Sequence, residues 1–356
     1  MIQLKELIIK PFAWILVGMT IAWNPALGAT SEHSIFDLMN HTEVLELTLE
    51  ADISDLSTNR NTEEYQAGFV RFADDTKMEQ AWNVKIRPRG KYRRRICEMP
   101  PLKLKFKKAE LETAGLSKFN DLKLVTHCSK NKLEAKEWLM KEYLTYKLYN
   151  ELTPNSFRVQ LVRINYIDVP TGKKTKNWGF LIEDKDQVAD RIDAETCDCN
   201  GMDMADLNQN SEKLMTVFQY MIGNEDWDLM MVRNLKMFKK ADGQIIPVPY
   251  DFDFAGIVNA GYAIPNATYN MTSIVDRAYF GTAQKEENLT STMRYLKLKK
   301  KDLISIVKNF KSLSFENRAT IVHYLQSFYN GNENFVKVEK HYKQGVNTAK
   351  STGIAK

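Results

Sequence analysis

The residues best suited to chemistry lie in the second half of the chain. They are Gly223-Asn224-Glu225-Asp226-Trp227-Asp228, then Asn234 and Lys236, then Pro247-Val248-Pro249-Tyr250-Asp251-Phe252-Asp253. Carboxylates and an amide gathered at the ends of short elements make a hard oxygen site suited to Mg²⁺ or Mn²⁺. An ion held there would neutralise nucleotide phosphates while a further carboxylate orients or deprotonates an acceptor hydroxyl. Asp and Asn also build turns, but two acidic clusters, each beside an aromatic, are hard to assign to turn chemistry alone.

Two basic segments precede them. Val84-Lys85-Ile86-Arg87-Pro88-Arg89-Gly90-Lys91-Tyr92-Arg93-Arg94-Arg95 gathers cations around one glycine. Gly90 lets backbone N–H groups approach an anion and arginine forks match phosphate oxygens; the plainer alternative is a solvated basic hairpin. Nucleic acid is another partner for a basic run, and the export signal described below argues against it. The second segment, Leu102-Lys103-Leu104-Lys105-Phe106-Lys107, alternates perfectly and precedes a helix carrying Glu134, Glu137 and Glu142. A strand lysine held by a helix carboxylate can position phosphates; otherwise these lysines are the wet face of a strand.

Other chemistries find little support. The five histidines (33, 41, 127, 323, 341) are scattered with no H-E-x-x-H pair, and no G-x-S-x-G occurs. Cys197-Asp198-Cys199 lacks the two-residue spacer of a zinc site, and no histidine lies near it.

The elements that must position these residues follow from periodicity. Period-two patterns at Val44–Leu49, Gly68–Phe72, Trp82–Arg87, Leu102–Lys107 and Leu122–Val125 predict an antiparallel sheet. Lys132–Leu152 has a helical stripe that Pro154 ends. Strands resume at Val159–Tyr166 and Gly179–Glu183, and helical patterns dominate from Ser211 onward. The expected plan is α+β and bilobal. A strand-rich lobe with one long helix covers 30–184, a mainly helical lobe covers 185–356, and a cleft lies between them.

The 356 residues carry 50 Lys+Arg against 45 Asp+Glu, a net charge of +5, and 44% are hydrophobic, which excludes disorder and a multi-span membrane protein. Lys5 and Lys10 precede the apolar stretch Pro11–Trp23, and Pro25-Ala26-Leu27-Gly28-Ala29 supplies small residues for cleavage near Ala29. Residues 1–29 therefore read as a signal peptide, too short in its apolar part for a stable membrane anchor. The expected destination is periplasmic or extracellular. Oxidation there permits Cys97 to pair with Cys128 and Cys197 with Cys199.

The order of R-G in a basic hairpin, a K-L-K-F strand, a Glu-bearing helix, G-N-x-D-W…N and P-x-P-Y-D-F-D resembles the spore-coat-protein-H (CotH) type of atypical secreted protein kinase. The resemblance covers Val84 to Gly256, and HipA-type kinases share its D…N…YD order. It implies a bilobal protein-kinase-like fold, ATP with Mg²⁺ or Mn²⁺, and a protein or small hydroxyl-bearing acceptor. Asp226 would be the catalytic-loop aspartate, and Asn234, Asp251 and Asp253 the metal set. Lys103 or Lys105 would contact phosphates with Glu142 as helix partner. Arg89 and Gly90 would cover the phosphates, and Glu183 with Asp184 would lie beside the adenine.

The sequence departs from conventional kinases in two ways. Asn234 follows Asp226 by eight residues and Asp228 by six, instead of five, so Asp228 stays a rival for the catalytic role. No G-x-G-x-x-G is present. A non-catalytic nucleotide- or glycan-binding module, and a glycan hydrolase using two of Asp226, Asp228, Asp251 and Asp253, are the alternatives. Convergence of Asn234 and Asp251 on one ion distinguishes a kinase from a glycosidase.

Overall fold

The computed structural model describes residues 33–265, 271–283 and 286–330. The expected signal peptide lies outside the described residues. Within them, no helix is long and apolar enough to cross a membrane.

Seven strands form the first half: β1 (Leu45–Ala51), β2 (Gln66–Ala73), β3 (Glu79–Pro88), β4 (Leu102–Phe106), β5 (Asp121–Thr126), β6 (Val159–Asp168) and β7 (Lys174–Ile182). Their apolar alternation turns one face inward. Leu47, Leu49, Ile86, Leu104, Leu122 and Ile164 are all fully buried in one core. The strand order is β1-β2-β3-β4-β5-β7-β6, and a parallel β1–β6 pairing closes it into a barrel. The purely antiparallel sheet expected from periodicity is corrected at that seam, where closure gives both edges of β1 a partner.

Short helices α1 (Ile35–Met39), α2 (Ile53–Thr58), α3 (Tyr92–Ile96) and α4 (Lys108–Thr113) occupy the barrel connections. The long helix α5 (Lys132–Leu152) follows β5 directly; Asn131 caps it by accepting from the Leu133 N–H, and Thr153 ends it in extended backbone. After β7 come α6 (Lys185–Arg191), the short strand β8 (Glu195–Cys197), α7 (Gln209–Ile222), the hairpin β9 (Leu235–Lys239) and β10 (Ile245–Pro249), then α8 (Thr290–Asn309) and α9 (Phe315–Asn330). Strands β8, β9 and β10 make a separate three-stranded sheet.

A second core forms around α5. Its Leu139, Tyr143, Tyr146 and Leu148 pack with Phe180 of β7, Phe218 of α7, Phe252, and Leu296 and Leu303 of α8. This core takes residues from both sides of position 184, so α5 is the element that both halves share. Cys97, at the end of α3, is bonded to Cys128 just before α5, and Cys197 is bonded to Cys199. The first bond fixes α3 against the start of the shared helix.

Candidate active site

The site is built around a buried arginine. The Arg89 N–H donates to the Pro101 carbonyl at 2.7 Å, holding the end of β3, and Gly90 then turns the chain with φ +85° into α3. That turn aims Arg93 inward, so it is only 6% exposed. Its guanidinium grips Glu142 of α5 in a two-pronged ion pair, Nη1 to Oε2 at 2.7 Å and Nη2 to Oε1 at 3.1 Å. It also pairs with Asp251 through Nη2, and with Asp253 through Nε at 3.2 Å. One cation from the first half therefore clamps carboxylates of the helix and of the second half.

Asp251 and Asp253 reach this point because of the β10 exit. The Asp251 N–H donates to the Tyr146 hydroxyl of α5 at 2.8 Å, and Asp251 adopts a left-handed φ of 66°, which costs energy that the surrounding bonds must offset. Phe252 between the two aspartates is fully buried against Tyr146 and Phe218, which sends its neighbours toward Arg93. The Tyr262 hydroxyl donates to Asp253 at 3.0 Å.

The loop after α7 supplies the other half of the site. Gly223 ends that helix with φ +65°, and a Cβ there would collide with the Tyr324 hydroxyl. Buried Asn224 accepts from the Asp226 N–H at 3.1 Å, and its carbonyl accepts from the Trp227 indole at 3.1 Å. Asn234 donates to the Asp226 backbone carbonyl at 2.6 Å and to its carboxylate at 2.9 Å, while its own carbonyl accepts from the Tyr250 N–H at 3.1 Å. Asp226 and Asn234 are thus bonded directly, and Asn234 is held in turn by Tyr250, the residue before Asp251. Val232 and Asn234 both take positive φ, 49° and 53°, and a β-branched residue there marks a strained loop.

The electrostatics follow from three carboxylates meeting one guanidinium. Burial works against the charge on Arg93, but Asp253, Glu142 and Asp251 outweigh it and keep the guanidinium protonated. Burial pushes the Glu142 and Asp253 carboxyls up. Burial opposes the charge on Asp251 too, yet Arg93 and Arg89 hold that carboxyl below its usual range. Burial raises the Asp226 carboxyl, and nearby Asp251 adds to the effect. Oxygens of Glu142, Asp251 and Asp253 lie within 4.8 Å of one another, a hard donor set with more negative charge than Arg93 balances. That set fits Mg²⁺ or Mn²⁺ by donor chemistry, with Asp251 and Asp253 as the residues that would hold the ion.

Arg89, Gly90, Asp226, Asn234, Asp251 and Asp253 line one cavity of about 500 Å³, within the range of small-molecule sites. The other expected residues lie elsewhere. Glu142 does not pair with Lys103 or Lys105: Lys103 binds Asp121 at 2.5 Å, Lys105 is exposed, and Arg93 takes Glu142. The completely buried Glu183 accepts from the Arg158 Nε at 2.8 Å and the Arg191 Nη2 at 3.1 Å, so its carboxylate braces the end of β7. Asp228 caps its own turn, accepting from the Met231 N–H at 2.8 Å.

Sequence reasoning missed three residues. Arg93 is one cation among many in the basic run, and Tyr262 lies beyond the last of the motifs. Lys123, on the strand immediately before α5, lies opposite Lys103 in the β4–β5 register, and Lys103 lies opposite Arg87. Like charges abreast on three strands repel unless an anion joins them. Lys123 packs over Tyr250 at 4.7 Å and Phe157 at 5.2 Å; burial, then Arg89 and Lys236, lower its pKa to about 7. The available signal was its place on the strand that leads into the Glu142 helix.

No protein-family model matches the chain, and no curated protein matches it. Among solved structures the chain is similar to a Helicobacter pylori proinflammatory kinase, CtkA, at 10% identity and a TM-score of 0.36, over 69% of this chain and 91% of that one. So distant a likeness carries no argument about chemistry, which rests on the cavity and its residues.

Proposed function

We propose that the protein is an exported, CotH-like atypical kinase that transfers the γ-phosphoryl group of ATP, with Mg²⁺ or Mn²⁺, to a hydroxyl on a protein or small molecule. One observation carries the reading: the Arg89-Gly90 turn of the first half and Asp226, Asn234, Asp251 and Asp253 of the second line a single cavity. In this reading Asp226 orients or deprotonates the acceptor hydroxyl, its raised pKa bringing it nearer to neutral working pH. Asp251 and Asp253 would hold the ion, which would neutralise developing charge on the phosphates; Asn234, the third member of the expected set, donates its side-chain N–H to Asp226. Arg89 and Lys123 take the part first expected of Lys103 and Lys105. Export is supported by the leader-like first 29 residues and by cysteines that all lie in pairs.

A second reading, a non-catalytic nucleotide-binding module, is favoured by the ion pairs of Arg93, which engage both carboxylates of the expected metal set. The glycosidase reading loses its Asp251–Asp253 pair, because those two carboxylates converge on one guanidinium instead of flanking a sugar-sized gap. Incubation with γ-labelled ATP and Mg²⁺ or Mn²⁺, using casein and a panel of small polyols as acceptors, separates the first two. Transfer that falls roughly 10²–10⁴-fold in Asp226→Ala supports the kinase. Nucleotide binding without transfer supports the module.

A further inference from the structure

A larger cavity, of about 820 Å³, opens at the barrel end and shares no lining residue with the cleft. Part of its wall is internally satisfied. Asp168 accepts from the Ser54 N–H at 3.0 Å and the Ser54 hydroxyl at 3.2 Å, and Arg60 donates to the carbonyls of Ser57 at 2.9 Å and Cys97 at 2.8 Å. The lining also holds two polar atoms that are not satisfied. The Tyr166 hydroxyl and His127 Nδ1 are buried with no hydrogen-bond partner among the described residues, and their residues are 1% and 8% exposed. Native interiors rarely leave such groups unpaired. Here two of them line one cavity, with their rings 6.5 Å apart.

Burial favours the uncharged form of both groups. It keeps the Tyr166 phenol protonated and lowers the His127 pKa, with Glu98 opposing that shift and Lys132 adding a smaller lowering. A neutral phenol and a neutral imidazole suit hydroxyl groups, to which each can donate or accept. The rim is mainly cationic: Lys130, Lys132 and Lys173 line the same cavity with one exposed carboxylate, Glu98, and these lysines are exposed and have no ion-pair partner among the described residues. Three ammonium groups around a cavity mouth suit an oxyanion.

We infer that the barrel-end cavity binds a small phosphorylated polyol of hexose-phosphate size, its hydroxyls on Tyr166 and His127 and its phosphate on the Lys130, Lys132 and Lys173 rim. The site is independent of the kinase reading and requires no nucleotide.

Titration calorimetry of the full chain with glucose 6-phosphate, glucose and inorganic phosphate tests it. Saturable one-to-one binding of glucose 6-phosphate is expected, with both fragments at least about tenfold weaker, the loss of one or more hydrogen bonds or charge contacts. Tyr166→Phe keeps the ring and removes only the hydroxyl, and should weaken binding about tenfold. The combined Lys130→Ala, Lys132→Ala and Lys173→Ala variant alters exposed residues and should weaken it at least as much. Asp226→Ala, in the cleft, should leave it unchanged. Circular dichroism confirms that each variant is folded. Failure of glucose 6-phosphate to bind, binding no tighter than that of phosphate, binding unaffected by Tyr166→Phe, or loss of binding in Asp226→Ala would each overturn the inference.

Discussion

The cleft and the barrel-end cavity differ in how their polar groups are kept. In the smaller cleft, the central charges are committed to one another: Arg93 binds Glu142, Asp251 and Asp253, and Asn234 binds Asp226. In the larger cavity, the buried Tyr166 hydroxyl and His127 Nδ1 have no hydrogen-bond partner among the described residues, and the lysines stand outside on the rim. The contrast teaches that volume and concentration of charge need not coincide, and the kinase reading follows the charge. A site that must handle phosphates and a metal concentrates opposite charges and holds them rigidly with short bonds. A site that merely accepts a polar ligand can leave its hydrogen-bonding capacity unspent until the ligand arrives.

Arg93→Ala is expected to have the largest effect and would break the comparison at its centre. It leaves buried Glu142 and Asp253, and partly exposed Asp251, without their cation, so urea unfolding should show a loss of roughly 3–5 kcal/mol, as for other broken buried ion pairs. A loss below about 1 kcal/mol, the ordinary value of an exposed pair, would mean that the cleft is not held by its charges.

Lys123→Met sharpens the electrostatic side. With a pKa of about 7, Lys123 is mostly charged at pH 6 and mostly neutral at pH 8. The sign follows directly: attraction for an anionic nucleotide is present below pH 7 and is lost as pH rises through it. Nucleotide affinity measured by fluorescence titration should therefore fall from pH 6 to pH 8, by up to about tenfold for one lost charge contact. Lys123→Met should bind more weakly at pH 6 and show a smaller pH dependence. An equal slope in both proteins would remove Lys123 from the phosphate site.

Asp228→Ala should do least. It removes one cap from an exposed turn, worth about 1 kcal/mol or less in unfolding measurements, and should leave phosphoryl transfer within a few-fold of the unaltered protein. Loss of transfer comparable to that of Asp226→Ala would reverse the assignment between the two aspartates.

Much of this architecture was legible in local pattern. The alternations at Val44–Leu49, Leu102–Lys107 and Leu122–Val125 fall on strands β1, β4 and β5, the stripe over Lys132–Leu152 is α5 with those bounds, and the Asp226, Asn234 and Asp251 motifs meet in one cavity. What was not legible depended on distant partners. The β1–β6 seam joins strands more than a hundred residues apart, and nothing in either strand specifies that pairing. Lys103, Lys105 and Lys123 occupy equivalent alternating positions, so only register and the neighbouring Tyr250 decide which one approaches the cleft. Arg93 differs from Arg94 and Arg95 only in the direction that α3 gives it, and Arg94 points instead to exposed Glu63. Glu183 looked available because its sequence position was right, whereas its carboxylate is filled by Arg158 and Arg191.

The central claim is that the two halves of the chain share one nucleotide-plus-metal cleft. Calorimetric titration of a non-hydrolysable ATP analogue in the presence and absence of Mn²⁺, on the unaltered chain and on Asp251→Asn, tests it most directly. The account predicts saturable binding that strengthens with Mn²⁺ in the unaltered chain, and loss of the Mn²⁺ effect in a folded Asp251→Asn variant. Binding that is absent from the unaltered chain, or that depends on Mn²⁺ equally in both proteins, would contradict it.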